Sequence, residues 1–191
     1  VRIIGGEWRR RRLAVPAVEG LRPTPDRVRE TLFNWLGQRL DGQHCLDLFA
    51  GSGALGLEAA SRGAASVTLV DADPRVVRHL LAQREALGGD HRVRVLQGDA
   101  LHFLRDAEPL PAFDLVFLDP PYALGLLPRC LDALPRLPAP GARVYLEDAA
   151  ALPVPAGWES FRAGRGGRVH FGLLTCKRHA SGSSTPAPSI P

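Results

Sequence analysis

The 191-residue chain is 45% hydrophobic and 23% charged, a balance that suits one globular unit with a sizeable core and excludes a fibre or a disordered tail. No apolar run reaches the roughly 20 residues a bilayer helix needs. The net charge of +4 is laid out unevenly, with residues 1–40 at +5, 41–160 at −6 and 161–191 at +5. An acidic body between two basic ends points to a catalytic unit whose termini meet a polyanion, nucleic-acid phosphate being the commonest. Candidate phosphate contacts are Arg9, Arg10, Arg11 and Arg12 in the first block and Arg162, Arg165 and Arg168 in the last. Cys45, Cys130 and Cys176 fit neither a disulfide framework nor a paired metal-ligand motif, so a reducing compartment and no metal are expected. Leu13 to Leu21, broken by Pro16 and Glu19, is no signal-peptide core, which agrees with a cytoplasmic protein.

In chain order, Val1 to Ile4, the Gly5-Gly6 break and Trp8 to Val15 predict a small basic β-hairpin or arm over residues 1–20. Thr24 then reads as the cap of a helix with Pro25 at its first position and Asp26 in its first turn. Val28, Leu32, Trp35 and Leu36 share one face, and the helix ends near Gly37. From residue 44 short apolar runs (Cys45 to Phe49, Val67 to Val70, Val93 to Leu96, Leu115 to Leu118, Val144 to Leu146) alternate with helical patterns such as Leu55 to Arg62 and Pro74 to Leu87. That rhythm is an α/β parallel sheet covered on both faces. Trp158 to Arg162 and Val169 to Cys176 flank a glycine-rich turn and predict a closing antiparallel pair. The domain runs over 21–179, and the Ser/Pro/Ala stretch 180–191 is expected to be a disordered tail.

Ligands of such a sheet bind beyond the carboxyl ends of its strands. After the first run comes Asp47, then Phe49-Ala50-Gly51-Ser52-Gly53 and Gly56, a G-x-G-x-x-G turn that opens a helix and whose free N–H groups could face a ligand. Asp71-Ala72 follows the second run, 20 positions beyond Gly51, the spacing expected of a carboxylate on a ribose diol. Asp99-Ala100 follows the third. In order at successive strand ends these residues outline an adenosine-shaped site. Asp47 beneath the loop favours an ammonium over a pyrophosphate, and thus S-adenosylmethionine over a nicotinamide dinucleotide.

After the fourth run stands Asp119-Pro120-Pro121-Tyr122. An exocyclic base amine is a poor nucleophile because its lone pair is delocalised into the ring. Acceptors aimed at its protons, here the Asp119 carboxylate and the Pro120 carbonyl, favour the tetrahedral nitrogen that attacks a methyl sulfonium. Pro121 offers no competing N–H and stiffens the loop, while Tyr122 gives an extruded base a flat face. These four are the candidate catalytic residues.

The pattern resembles the class I methyltransferases that act on exocyclic amines. More closely, Arg2-Ile3-Ile4-Gly5-Gly6 and the string from Gly20 through Thr24, Arg27 and Asn34 to Leu36 resemble the bacterial 16S rRNA guanine-N2 methyltransferase family of the RsmD type, over roughly Val1 to Arg178. The resemblance implies a Rossmann-like fold with a seven-stranded, mostly parallel sheet, S-adenosylmethionine as donor, and as acceptor a guanine of 16S rRNA, in a small-subunit particle, met by a monomer. It also implies that Thr24, Arg27 and Asn34 fold over the cofactor, with capping and surface pairing as the alternative. The tetrad reports an amine and not the base, so an adenine-N6 methyltransferase stays open. So do an NAD-dependent oxidoreductase and a non-catalytic ribosome-assembly factor. The pair Glu147-Asp148 has no assigned role at this point.

Overall fold

In the computed structural model, residues 1–18, 21, 23–106, 112–134, 138–167 and 169–177 are described. Arg168 and the stretch 180–191 lie outside them. The elements are α1 (Asp26–Leu36), β1 (His44–Asp47), α2 (Gly56–Ser61), β2 (Ser66–Asp71), α3 (Pro74–Ala86), β3 (Val93–Gln97), α4 (Ala100–Asp106), β4 (Phe113–Leu118), α5 (Leu127–Ala133), β5 (Pro138–Asp148), β6 (Trp158–Gly166) and β7 (Val169–Cys176). They build a seven-stranded sheet in the order β3-β2-β1-β4-β5-β7-β6. The first five strands run parallel, and β7 is antiparallel to both β5 and β6. This is the α/β architecture expected from the alternating runs. No helix among the described residues is long and apolar enough to cross a membrane.

Because side chains alternate along a strand, each run serves two cores. Cys45, Val67, Leu69, Leu115, Phe117, Tyr145 and Leu173 share a core with the arm, α1, α2 and α3. Leu46, Val70, Val116, Leu118, Val144, Leu146 and Leu174 pack with α4 and α5 on the other face. In α1 the buried row is Val28, Arg29, Leu32, Phe33 and Leu36. Leu32 has no exposed surface, so Leu32→Ala would cost about 2–5 kcal/mol. Trp35 sits at the edge of this row and stacks on Phe171, ring centroids 5.4 Å apart.

One local expectation changes. The helix cap is Pro25, not Thr24, with φ −57° and ψ 147° and no side-chain cap bond; Thr24 stands one residue too early and its hydroxyl is used elsewhere. The arm pairs antiparallel about the bridge Arg2 to Arg12: Ile3 N–H donates to the Arg11 carbonyl, Arg10 N–H to the Ile3 carbonyl and Leu13 N–H to the Val1 carbonyl, each at 2.9 Å. Its Gly5-Gly6 turn presses flat on the end of α2. Gly6 has φ +75° and a Cβ there would overlap the Ser61 carbonyl, while Glu7 N–H donates to that carbonyl at 2.7 Å. Ile3, Trp8 and Leu13 are buried in the core shared with α1 to α3.

Candidate active site

Strand order reverses between β1 and β4, so the loops after these two strands open the crevice in which an α/β sheet binds its ligand. Asp47 ends β1 in register with Phe117 of β4, and Phe117 is in turn in register with Tyr145 of β5. Asp119 and Glu147 each lie two residues further on. By the alternation of side chains they share the α1 to α3 face of the sheet with Phe117 and Tyr145. The carboxylates of Asp71, Asp47, Asp119 and Glu147 thus stand at the carboxyl ends of four adjacent strands.

The loop after β1 keeps most of its N–H groups for the protein itself. Gly51 N–H donates to Asp71 Oδ2 at 3.0 Å and Gly56 N–H to Asp47 Oδ2 at 3.0 Å. Gly53 and Leu57 N–H close turns onto Ala50 and Gly53 carbonyls. Positive φ at Gly51 (+50°) and Gly53 (+78°) makes the tight path possible. Gln83 anchors the buried Ser52 carbonyl at 3.1 Å. The first N–H of α2 is therefore spent on a carboxylate, contrary to the expectation that it faces a ligand. What the site offers is acceptors: Asp47 is 1% exposed and its Oδ1 has no hydrogen-bond partner among the described residues. Burial, opposed by the Gly56 bond, pushes the Asp47 carboxyl up to about 7. A buried carboxylate oxygen left open suits a cationic group and repels a pyrophosphate, which weighs against the dinucleotide reading.

Asp71 also accepts from Asp73 N–H at 2.9 Å, and burial raises its carboxyl above the ordinary range. Ala72 beside it is exposed, and Phe49 is half-buried toward the α4 side. Asp99 is exposed and accepts from His102 N–H at 2.9 Å, so it caps α4, whose first residue is the buried Ala100.

In the tetrad, Pro120 is buried, Pro121 exposed, and Tyr122 opens a short 3-10 helix, Tyr122–Leu124. Asp119 Oδ2 accepts from Thr24 Oγ1 at 3.2 Å. Burial, then the charges of Glu147 and Asp47, hold the Asp119 carboxyl well above the ordinary carboxylate range, while the Thr24 bond pulls it down. Tyr122 is 39% exposed and its hydroxyl donates to Glu147 Oε1 at 2.7 Å.

Glu147, left without a role by the sequence, stands after the fifth run as Asp119 stands after the fourth, and that position was its signal. Arg29 and Glu58 escaped the sequence altogether, because no pattern of apolar residues reveals their burial. Arg27 and Asn34 lie on the exposed side of α1, and Asn34 pairs with Gln38. The basic residues form two groups rather than one. Arg9 to Arg12 are exposed on the arm, Arg11 reaching the Ala86 carbonyl of α3, whereas Arg162 and Arg165 are exposed on β6 at the far edge of the sheet. Among the described residues no cluster of His, Cys, Asp and Glu is arranged to hold a metal ion.

A sheet of this order, a glycine turn beneath a buried Asp after β1, and Asp-Pro-Pro-Tyr after β4 together define a class I methyltransferase. The chain belongs to the family described as "Conserved hypothetical protein 95", which matches residues 1–175. It is 44% identical over 189 residues to ribosomal RNA small subunit methyltransferase D of Escherichia coli, covering 96% of this chain and 93% of that protein. The protein of the same description from Haemophilus influenzae is 40% identical, with 91% and 92% covered. Among solved structures, the Escherichia coli protein yhhF is 43% identical and superposes with a TM-score of 0.83, over 94% of this chain and 99% of that one.

Proposed function

We propose that this protein methylates the exocyclic N2 amine of a guanine in 16S rRNA, as a cytoplasmic monomer acting on a small-subunit particle. The observation that carries the reading is the Asp119 carboxylate, fixed by Thr24 at the switch point and near enough to Asp47, whose buried Oδ1 has no partner among the described residues, that the Asp47 charge helps hold the Asp119 carboxyl above the ordinary range. The names of the Escherichia coli and Haemophilus influenzae relatives support rRNA as the acceptor.

The residues present fit S-adenosylmethionine. Asp47 would take its ammonium, the backbone from Phe49 to Gly53 would lie beneath it, Asp71 with Ala72 would hold its ribose, and Asp99 with Ala100 its adenine. S-adenosylmethionine supplies a methyl group activated by a sulfonium. The protein does the rest by position and charge. Asp119 and the Pro120 carbonyl draw the amine protons and turn the nitrogen lone pair out of the ring, Pro121 keeps the loop rigid, and Tyr122 stacks on the base. The cationic amine that forms sheds its proton readily, so no strong base is required. The arm and β6 arginines contribute phosphate contacts.

The test is transfer of tritiated methyl to 30S particles and free 16S rRNA from cells lacking the protein, and to duplex DNA, followed by nucleoside analysis. N2-methylguanosine is expected. N6-methyladenosine, or label only in duplex DNA, would replace this reading by the adenine one.

A further inference from the structure

Glu147, the penultimate residue of β5, is 3% exposed. It forms no ion pair among the described residues. Both its oxygens accept from phenols instead, Oε1 from Tyr122 and Oε2 from Tyr145, each at 2.7 Å. The two tyrosines differ in kind. Tyr145 has no exposed surface and meets the Phe117 ring edge-on at 6.3 Å, so it is locked in the sheet face. Tyr122 is more than a third exposed and sits on a loop where Ala123 and Leu124 are exposed too. A buried carboxylate costs free energy unless its oxygens are satisfied. Here a rigid phenol satisfies one oxygen, and the other is committed to an exposed ring. Burial, then the charges of Asp119 and Glu147 respectively, raise the Tyr122 and Tyr145 hydroxyls, which stay protonated and keep donating.

We propose that Glu147, backed by Tyr145, is a positioning residue that holds the Tyr122 side chain in one rotamer at the cleft mouth, so that an extruded guanine meets a ring already in place. This rests on the reading of Tyr122 as the stacking surface. Anchoring the ring through its hydroxyl removes the ordering cost that binding would otherwise meet.

Tyr122→Phe keeps the ring and removes the anchor, and Glu147→Gln keeps the volume and removes the charge. Each should lower kcat/KM for the RNA about tenfold, the loss of one charge-assisted hydrogen bond, with S-adenosylmethionine affinity unchanged. Measured on the alkaline plateau, where Asp119 is ionised in every variant, the double variant should be no worse than Tyr122→Phe alone. A further tenfold loss on adding Glu147→Gln, or an equal fall in S-adenosylmethionine affinity, overturns the proposal. Independently of any activity, NMR couplings should find the Tyr122 side chain in a single χ1 rotamer in the wild type and averaged over rotamers in Glu147→Gln. An unchanged rotamer distribution also overturns it, and absent guanine methylation beside an altered distribution would sink the proposed function alone.

Discussion

Thr24 Oγ1 donates to Asp119 Oδ2 across 3.2 Å, tying the segment before α1 to the end of β4, 95 positions away. Thr24 is held from behind, since the fully buried Arg29 donates from Nε to its carbonyl at 3.3 Å and from Nη2 to Asp26 at 2.6 Å and to the Arg2 carbonyl at 2.9 Å. The bond occupies one carboxylate oxygen and fixes the plane of the other, which is the one left for the substrate amine. Thr24→Val, equal in shape but without the hydroxyl, should lower kcat about tenfold and leave S-adenosylmethionine affinity unchanged, with Thr24→Ser restoring most of the rate. A parallel fall in rate and in S-adenosylmethionine affinity would place Thr24 in the cofactor site instead.

The same carboxylate sets a pH dependence. Asp119 must be ionised to draw amine protons, and its carboxyl is held above the ordinary range by burial and then by the charge of Glu147, while Thr24 lowers it. Activity should therefore fall as the pH drops through this raised value, at higher pH than for an ordinary Asp. Glu147→Gln removes a like charge and should move the acid limb of the kcat/KM profile to lower pH. Thr24→Val removes a stabilising donor and should move it to higher pH. A limb that stays in place in both variants would show that the charge on Asp119 does not control the rate.

The five parallel strands were legible because each holds a short apolar run, and the site because an acid stands at or near the end of four such runs. Three features escaped for identifiable reasons. Thr24 has the chemistry of a cap, and only the fold reveals that its hydroxyl meets Asp119. Gly5-Gly6 reads as a hairpin break, and only the fold reveals how closely it packs on Ser61. Arg29 and Glu58 look like surface residues of amphipathic helices, yet both have no exposed surface because they satisfy each other and the arm.

Asp47 gives a prediction that needs no RNA. Its carboxyl is raised from the ordinary 3.8 to about 7, chiefly by burial. The folded protein thus holds a proton that the unfolded chain has released, so this group's contribution to stability is full below about pH 4 and is lost as the pH rises toward 7. An ammonium bound beside Oδ1 favours the ionised form and offsets that loss. The melting temperature of the free protein should therefore fall across this window, while the upward shift produced by S-adenosylmethionine grows. Asp47→Asn should flatten both trends. A ligand-induced shift that is independent of pH in the wild type would contradict the assignment of Asp47 to the ammonium.

RNA binding should be sensitive to salt, because each neutralised phosphate releases counterions. The arm and β6 place their arginines at different edges, so the two groups are expected to contribute separately. Replacing Arg9 to Arg12 by alanine should lower the slope of log K against log salt by about 0.7–0.9 for each phosphate that the arm no longer neutralises. Replacing Arg162 and Arg165 should lower it by a further, additive amount. A slope unchanged by either set would exclude those residues from the interface.

The arm itself depends on one buried acid. Glu58 of α2 has no exposed surface and accepts from Ile4 N–H at 2.7 Å, Gly5 N–H at 2.8 Å, Arg62 Nε at 2.8 Å and Arg29 Nη1 at 3.4 Å. Removing it strips two buried guanidinium groups of an acidic partner and leaves two N–H groups unsatisfied. Glu58→Ala should therefore cost about 3–5 kcal/mol, the range for breaking a buried ion pair, and lower the melting temperature by roughly 10 °C for a domain of this size. Glu58→Gln, which keeps an acceptor for the N–H groups, should cost less. Because Arg29 also supports the Thr24 carbonyl, residual folded Glu58→Ala protein should show lower kcat, even though Glu58 touches no substrate. Full kcat in the folded fraction, measured after correction for unfolded protein, would show that Thr24 holds its place without this network.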